Sequence, residues 1–405
     1  MTETETPPQL PLPALPRLSH VALIAAVAVG HMSQQIFAPA VPAIAREFGV
    51  SLGIAQIAFS LSLVFMAVAM LVYGPLSDRY GRRPVLFSGL SLFLVGSAVA
   101  AFAPSIELLI AGRVMQATGG ASGLVVARAI VRDVYGPKRA AGVLGTLIMF
   151  AVVAPMFGVV LGGVLTDTLG WRAVFLVMLG LAAATMILIA VALPRLAPSA
   201  DAAPSFGTLA RGYARLMRSP VFMGFALQGG LSPGSFTAIM ATGPYLMVEV
   251  LDRPATEFGI YFALVTVVYM STHFIGGRFS SRVGIERMVV IAGLISTAAA
   301  LAGLAWFAVF GLGVAVIFLT SSGTSVGNGL AQPNSQVGAM NVIPELAGTA
   351  SGGAAFTQTL SSAIFAQVTA SFIDDSGGAL FIAVAVSAVL ALAAGSVPYF
   401  IRRRG

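Results

Sequence analysis

The sequence predicts an all-α membrane protein: twelve transmembrane helices in two pseudo-symmetric six-helix bundles. Three observations predict it, namely a composition too apolar for water, a motif repeated at half the chain length, and basic residues confined to alternate connections. Hydrophobic residues make up 58% of the 405 residues, and Asp, Glu, Lys and Arg together only 9%. Soluble domains carry about 25% charged residues, so this chain cannot cover a water-facing surface. The apolar residues come in runs, many longer than the roughly 18 residues that mark a spanning helix.

The repeat lies in two glycine-bearing basic segments. Residues 74–85 read Gly-Pro-Leu-Ser-Asp-Arg-Tyr-Gly-Arg-Arg-Pro-Val, and residues 277–288 read Gly-Arg-Phe-Ser-Ser-Arg-Val-Gly-Ile-Glu-Arg-Met. Gly74, Ser77, Arg79 and Gly81 have counterparts in Gly277, Ser280, Arg282 and Gly284, each 203 positions on. A hinge recurring at half the chain length points to a duplicated bundle, an architecture in which two halves rock about a shared site.

In chain order, residues 1–19 are expected to be a disordered cytoplasmic tail, Pro-rich and acidic through Glu3 and Glu5. No short apolar region with a small-residue cleavage site follows, so the first run is read as a retained helix. Apolar runs between charged or Pro/Gly breaks then give spans near 20–45, 53–73, 85–102, 106–127, 140–163 and 171–193. These form an N-terminal bundle, 20–193. The connection 194–219 holds Pro194, Pro198 and Pro204 with Arg195, Arg211, Arg215 and Arg218, and is read as the cytoplasmic linker. Spans near 220–248, 256–276, 288–306, 313–340, 346–372 and 378–400 form a C-terminal bundle, 220–400, with a basic tail over 401–405.

The basic residues test this count. One side receives Arg17, Arg79, Arg82, Arg83, Arg128, Arg132, Lys138, Arg139, the linker arginines, Arg278, Arg282, Arg287 and Arg402 to Arg404; the other receives Arg46, Arg172 and Arg253. Such a positive-inside bias puts both termini in the cytoplasm, and a miscounted helix would scramble it. The net charge of +7 therefore serves orientation and anionic headgroups, not nucleic acid. The chain has no cysteine, which excludes disulfides, thiolate metal sites and cysteine nucleophiles.

At 74–86 the chain resembles the loop between the second and third helices of the major facilitator superfamily, patterned G-x-L-x-D-R-x-G-R-R-x-x-L. Gly74, Leu76, Asp78, Arg79, Gly81, Arg82, Arg83 and Leu86 match it. Arg113, Gln116 and Gly119 match the family's fourth-helix R-x-x-Q-G pattern loosely. Phe37 to Ala45, Ala127 to Asp133, Trp171-Arg172 and Ala347 to Ser351 are similar to the Bcr/CflA-type drug-resistance branch. The resemblance covers nearly the whole chain. It implies a proton-coupled exporter of small amphipathic molecules in the bacterial inner membrane, working by alternating access as a monomer without cofactor or metal. Two departures stand out: Gln35 occupies the position of an acid common in the branch's first helix, and Val159 replaces proline in Gly158-Val-Val-Leu-Gly-Gly163. Pro155, just upstream, is the expected source of the kink there.

Physical chemistry assigns roles within that frame. Gly74 and Gly81 permit a tight reversal, Asp78 accepts hydrogen bonds, and Arg79, Arg82 and Arg83 clamp neighbouring helix ends. This is a candidate conformational gate, with Gly277 and Arg282 in the second copy; a plain positive-inside anchor is the alternative. Ser281 replaces the aspartate there, so the stronger latch is expected in the first half. Arg113, about seven residues or ~10 Å inside its span, must face the bundle interior, with Gln116 on the same face. The pair is a candidate for coupling or substrate contact, or else a structural arginine bonded to carbonyls. His31, Gln34 and Gln35 share one helix face; an unperturbed imidazole suits proton exchange, which makes His31 a candidate proton carrier, or else a hydrogen-bond partner that burial keeps neutral. Ser321, Ser325, Asn328, Gln332 and Gln336 form a polar stripe in the tenth span, and Gln358 with Ser362 a shorter one in the eleventh. Both read as cavity linings or as helix–helix contacts. Gly158, Gly162 and Gly163 read as close-packing surfaces.

No Asp or Glu falls in the middle of a span, so the expected substrate is neutral, zwitterionic or anionic. The chain lacks a phosphate-binding G-x-x-x-x-G-K-[ST] loop, so direct use of ATP is not expected. No convergent nucleophile, metal cluster or acid pair suggests an enzyme. An importer or uncoupled carrier remains open on the same fold. Sixteen methionines leave copper(I) transport as a weaker alternative.

Overall fold

The computed structural model describes residues 16–194 and 206–404, and every regular element among them is helical. The expected tail over 1–15 and the connecting stretch 195–205 lie outside the described residues. Helix α1 (Arg17–Gln35), a 3-10 turn (Ala38–Ala40) and α2 (Val41–Phe48) build the first span. The helix starts at Arg17, inside the stretch expected as tail. Pro39 and Pro42 have no backbone donor, so the i to i−4 ladder is interrupted where they fall and the chain tightens into the 3-10 turn. Helix α3 (Leu52–Tyr80), N-capped by Ser51, is the second span, and α4 (Arg82–Ala101) the third.

The fourth and fifth spans, expected as separate helices, lie in one helical run, α5 (Ile106–Leu169). On a straight helix, Arg113 and Gly158 would stand about 67 Å apart. Yet Arg113 donates to the Ser33 carbonyl while Gly158 packs on Met32, one residue away on α1. The chain therefore doubles back between Tyr135 and Met156, and α5 counts as two spans. Gly120 and Gly123 on the first limb abut Gly30 and Ala26: a Cβ on Gly123 would stand 2.2 Å from the Ala26 carbonyl oxygen, and one on Gly30 2.5 Å from that of Gly120.

Helix α6 (Arg172–Ala192) is the sixth span. Amphipathic α7 (Phe206–Met217) lies in the connection, burying Leu216 and exposing Arg211 and Arg215. The seventh span is broken at Ser232-Pro233 into α8 (Pro220–Leu231) and α9 (Gly234–Tyr245), with a π turn after it. Then follow α10 (Ala255–Val283), α11 (Ile285–Phe310), α12 (Val314–Met340), α13 (Ala347–Ser371) and α14 (Gly378–Arg404). Arg402 and Arg403, expected in a tail, continue the last helix; an ion pair joins Arg402 to Glu286 of α11.

Nine helices among the described residues are long and apolar enough to cross a membrane unaided. The fifth, seventh and eleventh spans complete the twelve: the first of these is short past Met156, the next is broken at Pro233, and α13 carries Gln358 and Gln367. Exposed Phe65, Val68, Val72, Leu264, Ile295 and Val386 belong to the lipid-facing surface. Inside, Phe37, Phe93 and Phe175 anchor one core and Phe258, Phe262 and Phe381 another.

The sequence repeat is also a repeat of backbone geometry. Gly81, between α3 and α4, has φ 92° and ψ 149°; Gly284, between α10 and α11, has φ 90° and ψ 145°. This region is all but closed to L side chains, so each hinge turns on its glycine.

Candidate functional site

At the basic face of the N-terminal half, Arg82 is the centre of the candidate gate. It is 3% exposed, pairs with Asp78, and donates from Nε to Asp133 at 2.8 Å and from Nη1 to Ser77 Oγ at 2.6 Å. Arg83 donates to the Ala190 carbonyl at 2.7 Å, tying α4 to α6. Arg79 stacks on its neighbour Tyr80. Thus the motif holds α3, α4 and α5 together within one half. No hydrogen bond or ion pair of this cluster crosses to the other half among the described residues. Gly74 has open space around it, and Gly277 falls where side-chain surroundings are not described. Arg282 is exposed and joins no ion pair among the described residues.

Arg113 is fully buried but does not line the cavity between the halves. Its Nη1 donates to the Ser33 carbonyl at 3.1 Å and to Gln116 Oε1 at 2.5 Å; its Nη2 donates to Gln34 Oε1 at 2.9 Å. Phe37 lies under the guanidinium at 4.3 Å, and Gln116 passes the network on to Ser97. The arginine thus pins the end of α1 just before the 3-10 break. Asn328 does the corresponding job in the other half. Its Oδ1 accepts from Ser232 at 2.5 Å, and its Nδ2 reaches Ser235 Oγ at 3.0 Å, bracketing Pro233. Each half therefore holds its broken helix with one polar side chain from a neighbour.

Between the halves lies a cavity of about 480 Å³. The N-terminal half contributes His31, Gln34, Gln35, Phe59, Met66 and Arg128 to its wall; the C-terminal half contributes Phe236, Tyr269, Asn328, Gln332, Gln336 and Gln358. The two polar stripes thus meet one space, except that Ser321 and Ser325 are buried away from it. Among the described residues, no carboxylate lines it. His31 Nδ1 stands 3.1 Å from the Val27 carbonyl, which can only accept. The proton therefore sits on Nδ1, and Nε2 of a neutral ring is left as an acceptor. Gln34 turns its oxygen back to Arg113 and Ser62, so its cavity-side contribution is small.

The face opposite the basic one is shut. Asp167, at the end of α5, accepts from the Ala255 and Thr256 amides at 3.2 and 2.8 Å and from Thr256 Oγ1 at 2.6 Å, capping α10 across the interface. Gly163 lets those backbones meet: a Cβ there would stand 2.6 Å from the Ala255 carbonyl oxygen. Gly158 and Gly162 instead face α1, and Val159, in place of proline, packs its backbone on Gly259. Nothing is described of the Pro155 side chain. Gln367 of α13 donates to the Gly53 carbonyl at 3.0 Å and accepts from Ser60 at 2.5 Å, and Arg46 pairs with Glu249 at 3.1 Å. These hydrogen bonds and this ion pair join the two halves at this end. The cavity, whose wall includes Met70, Leu71, Arg128 and Ser351, opens toward the basic face.

The sequence profile of the Major Facilitator Superfamily matches residues 23–366. The chain belongs to the Major Facilitator Superfamily. It is a multi-pass membrane transporter of that fold and not an enzyme. It is 32% identical over 365 residues to "Multidrug resistance protein D" of Escherichia coli (strain K12), covering 88% of this chain and 90% of that one. It is 30% identical to the "Uncharacterized MFS-type transporter YdgK" of Bacillus subtilis (strain 168), over 70% and 72% of the two chains. A bacterial homologue of the human lysosomal transporter Spinster, solved in an inward-facing and occupied conformation, shares the fold with a TM-score of 0.73 at 15% identity, over 95% of this chain and 96% of that one.

Three residues that make these contacts in this superfamily member escaped sequence reasoning. Asp133 stood in a segment already singled out, with Arg132 beside it, but its partner Arg82 is 51 positions away. Asp167 and Gln367 reach their partners across the halves, and no local pattern marks them.

Proposed function

We propose that this transporter exports small amphipathic molecules, neutral, zwitterionic or anionic, across the bacterial inner membrane by proton-coupled alternating access. The observation that carries the reading is the cavity itself. It is walled by both halves, sealed at one face and open at the basic one, and no carboxylate lines it among the described residues. With the basic face cytoplasmic, as the arginine bias indicates, substrate enters from the cytoplasm. The apolar surface of Phe59, Met66 and Phe236 takes the hydrophobic body, and the amides of Gln35, Gln332 and Gln358 take polar groups. A lipophilic cation would meet Arg128 and no counter-charge. The multidrug-resistance name of the Escherichia coli relative supports export of foreign compounds over import of one metabolite.

His31 is the proton carrier in this reading. Its free Nε2 is the acceptor, and protonation turns that acceptor into a donor, releasing a substrate group that donates a hydrogen bond there. Arg113 acts behind the wall as a positioning residue for Gln34 and the α1 break. The gate around Asp78, Arg79, Arg82 and Arg83 acts at the cytoplasmic face.

The test is transport in proteoliposomes with an imposed pH gradient. The account expects gradient-driven movement of neutral or anionic amphipaths, abolished at least tenfold by His31→Ala. Robust transport of quaternary ammonium dyes, or movement indifferent to the gradient, contradicts it.

A further inference from the structure

Gln332 is 3% exposed, lines the cavity, and has both amide atoms, Nε2 and Oε1, buried without a hydrogen-bond partner. No other glutamine in the cavity wall has both amide atoms in that condition among the described residues. Leaving a donor and an acceptor both unmet costs about 1–3 kcal/mol for each group. Such a cost is retained where a ligand supplies the missing partner.

The neighbouring wall indicates what that ligand is. Phe236 and Phe262 lie with ring centroids 4.6 Å apart and Tyr269 continues the row at 6.4 Å, and all three line the cavity. Asn328, bonded to Ser235, sits level with Phe236, and Gly329 abuts the Tyr269 carbonyl. Gln332 follows Asn328 by four residues, so it lies on the same face of α12, about 6 Å further toward the basic side. Asn328 itself is spoken for by Ser232 and Ser235. Gly229 of α8 packs close by: a methyl there would meet Ser335 Cβ at 3.6 Å and Gln332 Oε1 at 4.0 Å. Gln332 thus shares the cavity wall with a row of aromatic rings, and its amide has no protein partner among the described residues.

Resting on the export reading, we propose that Gln332 orients the substrate, and that the preferred substrates are planar neutral rings carrying an unsubstituted amide edge. A primary carboxamide, a lactam or an imide offers one C=O and one N–H side by side. These match the N–H and C=O of Gln332 in a closed two-bond pair while the ring lies along Phe236, Phe262 and Tyr269. Gln35, whose Oε1 is also buried without a partner, offers a second acceptor at the closed end of the cavity.

The probes are phenanthridinone, a flat tricyclic lactam, and N-methylphenanthridinone, which keeps the ring and the carbonyl but loses the donor. Binding to the purified full chain is followed by probe fluorescence, and transport by accumulation in proteoliposomes. Wild type is expected to favour phenanthridinone about tenfold to a hundredfold. Gln332→Leu, checked for folding by size-exclusion chromatography, is expected to abolish the preference, so that the two probes bind alike. Equal binding of the two by wild type, binding of neither, or a preference that survives in Gln332→Leu each overturns the proposal. The wild-type comparison decides even where the variant does not fold. A chain that binds with the preference but moves neither probe sinks the export reading and leaves the glutamine assignment standing.

Discussion

A single guanidinium shows how far a residue type in a sequence fixes its role. An arginine inside a spanning helix must find partners, because its charge at a bilayer centre costs roughly 2.5–3.5 kcal/mol or more. That much was legible, and so was Gln116 as its neighbour one turn away. The destination was not, because two open outcomes, a cavity ligand and a keystone, differ only in rotation about the helix axis. Here the partners are Ser33, Gln34 and Gln116, and the arginine sits behind the wall. Arg113→Ala removes the donor shared by three buried acceptors, of which Gln34 keeps Ser62, so it is expected to lower stability by roughly 2–4 kcal/mol along with transport. Arg113→Lys, with one compact ammonium in place of a planar fork, is expected to recover only part of that loss. Thermal unfolding in detergent checks both. A stable but inactive Arg113→Ala protein would return the arginine to the cavity.

At the scale of elements, hydropathy found helices where they are apolar and uninterrupted, and faltered where function interrupts them. The fifth and seventh spans are short or broken, and α13 is polar because it lines the cavity through Gln358 and Ser362. The two halves of α5 show the limit of hydrogen-bond pattern as well: only packing on α1 reveals that the chain turns back. The 203-residue repeat, by contrast, carried real geometry. Gly81→Ala and Gly284→Ala should each cost about 1–3 kcal/mol, since both glycines occupy the same region forbidden to side chains. Equal shifts in unfolding midpoint are the expected outcome. A neutral Gly284→Ala would mean that the second hinge is not held as the first is. The latch beside it does differ: Arg82 unites Asp78 and Asp133, while Arg282 stands exposed.

For the whole molecule, one face is closed by contacts between the halves and the other keeps its contacts within them. Sequence shows the hinges but not which face is shut, because Asp167 with Thr256 and Gln367 with Gly53 are pairs made by the docked halves alone. Asp167 acts as an N-cap supplied by the other half, a contact worth about 1 kcal/mol. Asp167→Ala should therefore shift the population about fivefold toward the state open at that face, read by labels on the two sides. An unchanged distribution would remove Asp167 from the gate. The chain's lack of cysteine makes a direct test of rocking possible. A Cβ on Gly53 stands 3.3 Å from the Ser371 Cα, within disulfide reach. In the double variant Gly53→Cys, Ser371→Cys, oxidation is expected to form a cross-link between the halves, stop transport, and release it again on reduction. Full transport with that cross-link intact would contradict the account.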